Sequence, residues 1–196
     1  MAGREAGGDS VFLNVPYDRG YERLFVALIA AVVAAGLKPR CALEIPEQGE
    51  GRLARILGLL EECRLSIHDL SRVGTPARFN MPFELGLAVA ICRLKHRDHG
   101  YIVMEALEGR MAKTLSDLPE GPTIIHRGSP RRLIAELFDN LRGSRPGDAE
   151  KVYRRLIQQL PEVRKAHRSE GIVRRAIFNE LVAGATFAAS KLDVLQ

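Results

Sequence analysis

Residues 79–88, Phe79-Asn80-Met81-Pro82-Phe83-Glu84-Leu85-Gly86-Leu87-Ala88, are predicted to form a loop that turns into a helix. Asn80 is a favourable N-cap residue, and Pro82 falls in the first turn, where its missing N–H costs nothing. The residues that follow are apolar on almost every side up to Cys92. A helix of that composition is expected to be buried, so we place this segment in the interior of the fold.

Glu84 is the one charged residue of that segment. Its neighbours one and two turns further along are Leu87, Ala88 and Ile91, so it begins an apolar stripe. A buried carboxylate must either pair with a cation or a hydrogen-bond donor, or serve a catalytic role. The start of a helix favours the ionised form while burial raises the pKa, which suits a nucleophile or general base. The alternative is that Glu84 caps the first turn or pairs with Arg78.

Strand-like and helix-like segments alternate along the first 143 residues. Short runs rich in β-formers predict strands at 11–15, 37–43, 65–70, 101–104 and 123–126. Longer runs with a helical apolar period predict helices at 21–35, 52–63, 80–94 and 130–141, with a weak or irregular segment at 108–118. This alternation predicts an α/β fold with a doubly wound parallel sheet of about five strands.

Turn and cap residues mark several of these boundaries. Gly36 is placed to end the first helix, and Pro39 predicts that the second strand starts late or lies near an edge. Ser129 and Pro130 are in the order expected of an N-cap and the first helical residue.

The pattern changes after residue 143. A linker at 143–147 leads to Asp148, a favourable N-cap, and helices are predicted at 149–160 and 170–192. We therefore predict an α/β domain at 10–143 and a helical extension at 148–196. The extension has too little apolar surface to fold alone, so it is expected to pack on the α/β core or on a second copy.

Composition is that of a soluble globular protein, with 46% hydrophobic and 27% charged residues in 196. The longest apolar run, 24–37, is broken only by Gly36 and is too short to cross a bilayer. Residues 1–9 lack the apolar core of a signal peptide, so a cytoplasmic protein without membrane attachment is expected.

Charge is unevenly distributed. The net charge is +5, and residues 144–196 carry +4 of it, with 10 Lys and Arg against 6 Asp and Glu. This basic tail is predicted to mediate self-association or contact with a partner protein, and nucleic acid is a less favoured partner. A solvated helical face is the favoured alternative to any such role.

Common chemical motifs are absent from the sequence. There is no glycine-rich dinucleotide loop, P-loop or nucleophile elbow. Cys41, Cys63 and Cys92 have no metal-ligand spacing and are expected to be buried, reduced thiols. His96 and His99 lie in a charged run, where a solvated pair is expected rather than a metal site. No metal and no cofactor is predicted.

Polar residues follow the first and third predicted strands, and the Glu84 helix starts from the third crossover. Ligands bind beyond the carboxyl ends of strands in open α/β sheets, so these residues are candidate contacts. The candidates are Asn14, Tyr17, Asp18, Asp69 and Arg72, together with Asn80 at the helix start.

Each of these candidates has a structural alternative. Asp69 could cap the loop after its strand through an Asx turn, and Tyr17 could cover the core. Asn14 lies inside a strand and must find hydrogen-bond partners there. His68 alternates with Ile67 and is expected to face the other side of the sheet from Asp69.

The unit Ser66-Ile67-His68-Asp69-Leu70-Ser71, followed by residues 79–88, resembles the "ADL … GTAFELGYA" unit of nucleoside 2-deoxyribosyltransferases. It is also similar to the equivalent unit of Toll/interleukin-1 receptor (TIR) domains that cleave NAD. The opening Val11-Phe12-Leu13-Asn14-Val15-Pro16-Tyr17-Asp18 resembles the first strand and ligand loop of bacterial TIR-like proteins. The resemblance covers about residues 10–140 and implies a flavodoxin-like sheet.

That resemblance implies a catalytic role for Glu84 and a role for Asp69 as the acid that orients ligand or catalytic groups. It places ligand contacts at Asn14 and Tyr17. Asn80-Met81 replaces the Gly-Thr of the deoxyribosyltransferase motif, and the Trp-Cys pair of many TIR domains is absent before Glu84. The implied activity is cleavage of the N-glycosidic bond in NAD or a related nucleotide or nucleoside, which serves as substrate rather than as a cofactor.

Two other hypotheses remain open from the sequence. One is a nucleotide-sensing or scaffold module that keeps the pocket without catalysis. The other is a nucleic-acid-associated protein that uses the basic tail and binds in a salt-dependent manner.

Overall fold

The computed structural model describes residues 9–44, 51–72, 79–94, 99–115, 117, 123–141, 146–169, 171 and 174–192. The strands are β1 (Ser10–Asn14), β2 (Lys38–Cys41), β3 (Leu65–Asp69), β4 (Gly100–Glu105) and β5 (Thr123–Ile125). The helices are α1 (Glu22–Ala34), α2 (Arg52–Glu62), α3 (Asn80–Leu94), α4 (Arg110–Thr114), α5 (Pro130–Asn140), α6 (Pro146–Ala166) and α7 (Arg175–Ser190). A short 3-10 helix, Ala42–Glu44, follows β2.

The strands form a parallel sheet in the order β2-β1-β3-β4-β5. This confirms the predicted α/β class with five parallel strands and C-terminal helices, and the order is that of flavodoxin-like folds. β2 is an edge strand, as its proline indicated. The strand order reverses at β1, because β2 lies on one side of it and β3 lies on the other. Ligands bind at such positions in α/β folds of this kind.

The chain divides into two compact units. The first comprises Met1–Val15 and Arg40–Thr123, and the second comprises Pro16–Pro39 and Ile124–Gln196. In the second unit, α6 and α7 both pack against α1, so of the two predicted arrangements the C-terminal helices show packing on the α/β part of the chain. The units differ from the predicted division into 10–143 and 148–196, and that domain boundary stays a prediction.

In the first unit, α2 and α3 pack together over β1. Phe12 of β1 is fully buried against Ile56 and Leu60 of α2 and against Ala88 and Ile91 of α3. Each such side chain stabilises the fold by roughly 1.5–3 kcal/mol through apolar burial. This cluster holds α3 against the sheet and therefore sets the position of Glu84.

Only one face of α3 is buried. That face consists of Met81, Glu84, Leu85, Ala88 and Ile91, spaced one turn apart. The prediction that α3 is buried almost all round is wrong, because apolar composition does not reveal which faces other elements cover. The predicted position of Glu84 on an apolar, buried stripe is borne out.

The start of α3 also differs from the prediction. The helix begins at Asn80, and the backbone N–H of Phe83 donates to the carbonyl of Phe79 at 3.2 Å. Phe79 therefore occupies the cap position and Asn80 is the first helical residue, which leaves the Asn80 side chain available to reach the next turn.

In the second unit, α1 is buried along nearly its whole surface by α5, α6 and α7. It ends in a Schellman motif. Gly36, at φ 74°, donates to Val33 O, and Leu37 donates to Val32 O. Ser129 caps α5 by accepting from the backbone N–H of Arg132 at 3.3 Å, as predicted.

The predicted limits of α6 are wrong. The helix begins at Pro146 rather than after Asp148, because proline is itself well suited to the first helical position. It also continues through Pro161 to Ala166. Leu160 and Val163 are buried on either side of that proline, and their packing compensates for the missing backbone hydrogen bond.

Within the ranges given above, no helix is long and apolar enough to cross a membrane.

Candidate functional site

Asn14 and His68 are paired residues at the carboxyl ends of β1 and β3. Their Cα atoms are partners in the parallel register, so both side chains leave the same face of the sheet. Phe12 lies on that face too, beneath α2 and α3. The site therefore lies at the position where the strand order reverses, with α3 above it.

The Asn14 amide connects β3 to the first turn of α3. Its Nδ2 lies 3.2 Å from the carbonyl oxygen of Met81 and 3.0 Å from Nδ1 of His68. A backbone carbonyl can only accept, so the amide nitrogen must be the atom that faces it. Nδ2 then donates its second hydrogen to His68, and Nδ1 of His68 must be an acceptor. The structure thus assigns the Nε2–H tautomer to His68.

His68 is held neutral. It is fully buried, with its ring edge against Phe12 at a centroid distance of 6.5 Å. Burial, with a smaller contribution from the charge of His99, lowers the pKa of His68 to about 3. A protonated ring would also direct an N–H at the Asn14 amide, which offers it only another N–H. In the described part of the chain, His68 Nε2 is buried without a hydrogen-bond partner.

Glu84 lies on the next turn of α3 after Met81 and is only 5% exposed. Burial raises the pKa of Glu84, while the positive charge of Arg52 and a hydrogen bond from the Asn80 side chain oppose that rise. Asn80, a predicted ligand contact, is thus a neighbour of the carboxylate. Arg78, the predicted ion-pair partner, lies outside the described residues, and Arg52 of α2 supplies the nearby cation instead.

Asp69 takes the structural role that the sequence left open. It is fully buried, and its Oδ1 accepts from the backbone N–H of Ser71 at 2.7 Å, which is an Asx turn. Strand alternation directs its side chain to the opposite face from His68 and Asn14. The structure therefore does not bring Asp69 into the Asn14–His68 network. Arg72 follows in the same turn and is exposed.

Tyr17 and Asp18 belong to the second unit. The Tyr17 ring packs edge-to-face on Phe25, with centroids 5.8 Å apart. Asp18 Oδ1 accepts from the backbone N–H of Tyr21 at 3.0 Å, just before α1 begins. Both contacts support the local fold, and a ligand role for either residue stays a prediction.

A second buried carboxylate, Glu105, shows what a structural role looks like in this fold. It ends β4, and its two oxygens accept from the backbone N–H groups of Gly109 and Met111 at 3.1 and 2.9 Å. These bonds cap the start of α4. Within the residues that the structure describes, Glu84 accepts from the Asn80 side chain and from no comparable backbone donor, so capping does not explain its burial there.

The sequence analysis missed two exposed aromatic rings at the start of α3 and two buried guanidinium nitrogens on α2. Phe79 is 79% exposed and Phe83, one turn further along the chain, is 54% exposed. Arg55 of α2 has Nε and Nη1 buried without hydrogen-bond partners in the described residues. The exposure of Phe83 could not be read from the apolar composition of its helix, which predicted the helix to be buried.

The other histidine and cysteine predictions have mixed outcomes. His99 is buried, not solvated, and its two ring nitrogens lie 2.7 Å from Cys63 O and 3.3 Å from Ser66 Oγ. His96 lies outside the described residues. Cys63 is a buried thiol whose pKa is raised by burial to about 12, and Cys41 is also buried, while Cys92 is partly exposed.

Comparison with known proteins identifies no relative. No protein-family model matches the chain, and no curated protein or solved structure matches it either. Over the residues that the structure describes, no group of three or more His, Cys, Asp or Glu side chains is arranged to hold a metal ion. No matched protein therefore bears on the function of this chain.

Proposed function

We propose that this protein cleaves the N-glycosidic bond of NAD or a related nucleotide, with Glu84 as nucleophile or as stabiliser of the developing positive charge. The observation that carries the proposal is a carboxylate buried on a helix beside the strand-order reversal, with no capping backbone donor among the described residues. Its resemblance to the catalytic glutamate of deoxyribosyltransferases and NAD-cleaving TIR domains supports the same role.

The chemistry requires a negative charge beneath C1′ of the ribose. As the bond to the base breaks, C1′ becomes oxocarbenium-like, and a carboxylate stabilises that charge or bonds to it. With NAD, nicotinamide leaves with the bonding electron pair and becomes neutral. Water then adds a hydroxyl group to C1′ and releases one proton. The products are ADP-ribose, nicotinamide and a proton.

The residues of the site favour a substrate whose leaving base is positively charged, because such a base leaves without a general acid. A neutral base needs a general acid, whereas nicotinamide does not, because it is already positively charged in the substrate. Asp69 is committed to the Ser71 N–H and faces away from the site, and His68 has a pKa of about 3. This favours NAD or another substrate with a cationic base over ordinary nucleosides.

The surroundings of Glu84 supply contacts for the rest of a nucleotide. Phe79 and Phe83 present exposed rings on which an aromatic base can stack, an interaction worth roughly 1–3 kcal/mol per base. Arg52 acts electrostatically on Glu84, and Nε and Nη1 of Arg55 are buried with no acceptor in the described part of the chain. Phosphate oxygens are the acceptors that a guanidinium prefers.

Phe83→Ala is expected to raise KM about tenfold with little change in kcat, because the ring contributes uniform binding of the base rather than stabilisation of the transition state. The measurement is steady-state kinetics of base release. Leu94→Ala is the matched control, since Leu94 is 84% exposed at the other end of the same helix. Equal effects of the two substitutions would remove the stacking role.

The experiment that tests the function is incubation of the purified protein at high concentration with NAD and a panel of nucleosides and nucleotides, followed by HPLC. Free nicotinamide or another base from the wild type, and none from Glu84→Gln, supports the proposal. No product from any substrate, including at protein concentrations that favour assembly, contradicts it.

The alternative function is a nucleotide-sensing module without catalysis. It is favoured by the Asx turn at Asp69, because Oδ1 accepts from the backbone N–H of Ser71 and so supports the loop after β3. Calorimetric titration together with the HPLC assay distinguishes the two functions. The sensing module predicts that the wild type binds a nucleotide without turning it over, whereas the enzyme predicts turnover that Glu84→Gln abolishes.

A further inference from the structure

A groove lies between α6 and α7 in the second unit. Its volume is about 460 Å³, and its apolar lining includes Leu156, Val163 and Leu181. The helices approach closely at Gly184, where an added Cβ would lie 3.2 Å from Gln159 Oε1 and 3.3 Å from Leu156 Cδ2. Close packing of α6 against α7 therefore fixes the shape of the groove.

The charged side chains that line this groove are Glu162 and Glu180, and both are acidic. They lie in a tail whose net charge is +4. Glu180 is partly engaged, since its Oε2 lies 2.6 Å from Nε2 of His167. An occupant that combines an apolar side chain with a positive charge would complement both the lining and its carboxylates.

The same face carries an apolar side chain with a positive charge beside it. Phe187 of α7 forms part of the groove wall and is 54% exposed. The ammonium group of Lys191 lies 5.5 Å from the centroid of the Phe187 ring. Phe187 and Lys191 together thus present an aromatic ring with an adjacent cation, beside a groove lined by apolar side chains and two carboxylates.

We propose that this face binds a second copy of the chain, with two-fold symmetry. A two-fold interface uses the same surface on both subunits, so a projection and its complementary groove must lie on one face, as they do here. Phe187 of each copy would enter the groove of the other, and Lys191 of each copy would approach Glu162 of the other, since Glu180 is already engaged by His167. The proposal is independent of the site at Glu84.

The test is a charge exchange between copies, measured by analytical ultracentrifugation over a range of protein concentrations. The wild type is expected to dimerise, and Glu162→Lys and Lys191→Glu are each expected to weaken dimerisation by about tenfold, because every dimer loses both of its ion pairs. An equimolar mixture of the two variants should restore wild-type affinity, since each heterodimer regains two opposite-charge pairs.

Lys165→Glu is the control for Lys191→Glu. It makes the same change of charge, but Lys165 lies on α6 and does not line the groove. Restoration in the mixture also demonstrates that each variant is folded. A wild type that is monomeric at all concentrations overturns the proposal. So does a dimer that is insensitive to both substitutions, or a mixture that associates no better than the separate variants.

Discussion

Glu84→Gln is expected to lower the rate of base release by about a thousandfold or more, because the amide removes the negative charge that stabilises C1′ in the transition state. The glutamine side chain has nearly the same shape as glutamate, and its amide oxygen can still accept a hydrogen bond from Asn80. The loss should therefore appear in kcat, with little change in nucleotide affinity. Single-turnover assays with HPLC detection of the released base measure it.

The same substitution is expected not to destabilise the fold at neutral pH. Burial raises the pKa of Glu84, so the folded protein binds that proton more tightly than the unfolded chain does. Stability contributed by this group is therefore lost as pH rises from its ordinary pKa through the raised one. Glutamine does not ionise, so Glu84→Gln should be more stable than the wild type at pH 7, and the difference should shrink towards pH 4.

Urea unfolding at several pH values checks this expectation. Glu108→Gln is the matched control, since Glu108 is exposed and its change should alter neither activity nor the pH dependence. A variant that loses both activity and stability at pH 7 would indicate that Glu84 is a structural residue.

Asn14→Asp is expected to lower the free energy of unfolding by about 3 kcal/mol at pH 7. The amide donates to two acceptors, Met81 O and His68 Nδ1, and a carboxylate can donate to neither. A change of tautomer that places the proton on Nδ1 of His68 could restore the bond to His68, but the carbonyl oxygen of Met81 would still face a buried negative charge instead of a donor. Urea unfolding at pH 7 measures the loss.

Asn140→Asp is the control for the Asn14 prediction. Asn140 is exposed on α5 and donates to Glu136 O at 2.8 Å, so the same chemical change there should cost well under about 1 kcal/mol. Equal losses at the two positions would contradict the assigned network. Because Asn14 holds the first turn of α3, its replacement should also reduce turnover, unlike Glu84→Gln, which reduces turnover without loss of stability.

Local patterns in the sequence were sufficient for much of the fold. Alternating strands and helices predicted the parallel sheet, Gly36 and Ser129-Pro130 predicted helix limits, and the spacing of apolar residues placed Glu84 on a buried stripe. These features depend on interactions within a few residues, which the order of amino acids encodes directly. The predicted end of α6 at residue 160 was wrong, because packing against distant segments keeps the helix intact through Pro161.

What the sequence determined by itself was therefore the set of elements and the unusual carboxylate among them. The tertiary structure alone decided that Asn14 bonds His68 and Met81, that Arg52 is the cation near Glu84, and that Phe83 is exposed. Each of these depends on strand register or helix packing between segments far apart in the chain. Those distant segments, and not neighbours in sequence, determine which partner a buried polar group has and whether an apolar side chain is buried or exposed.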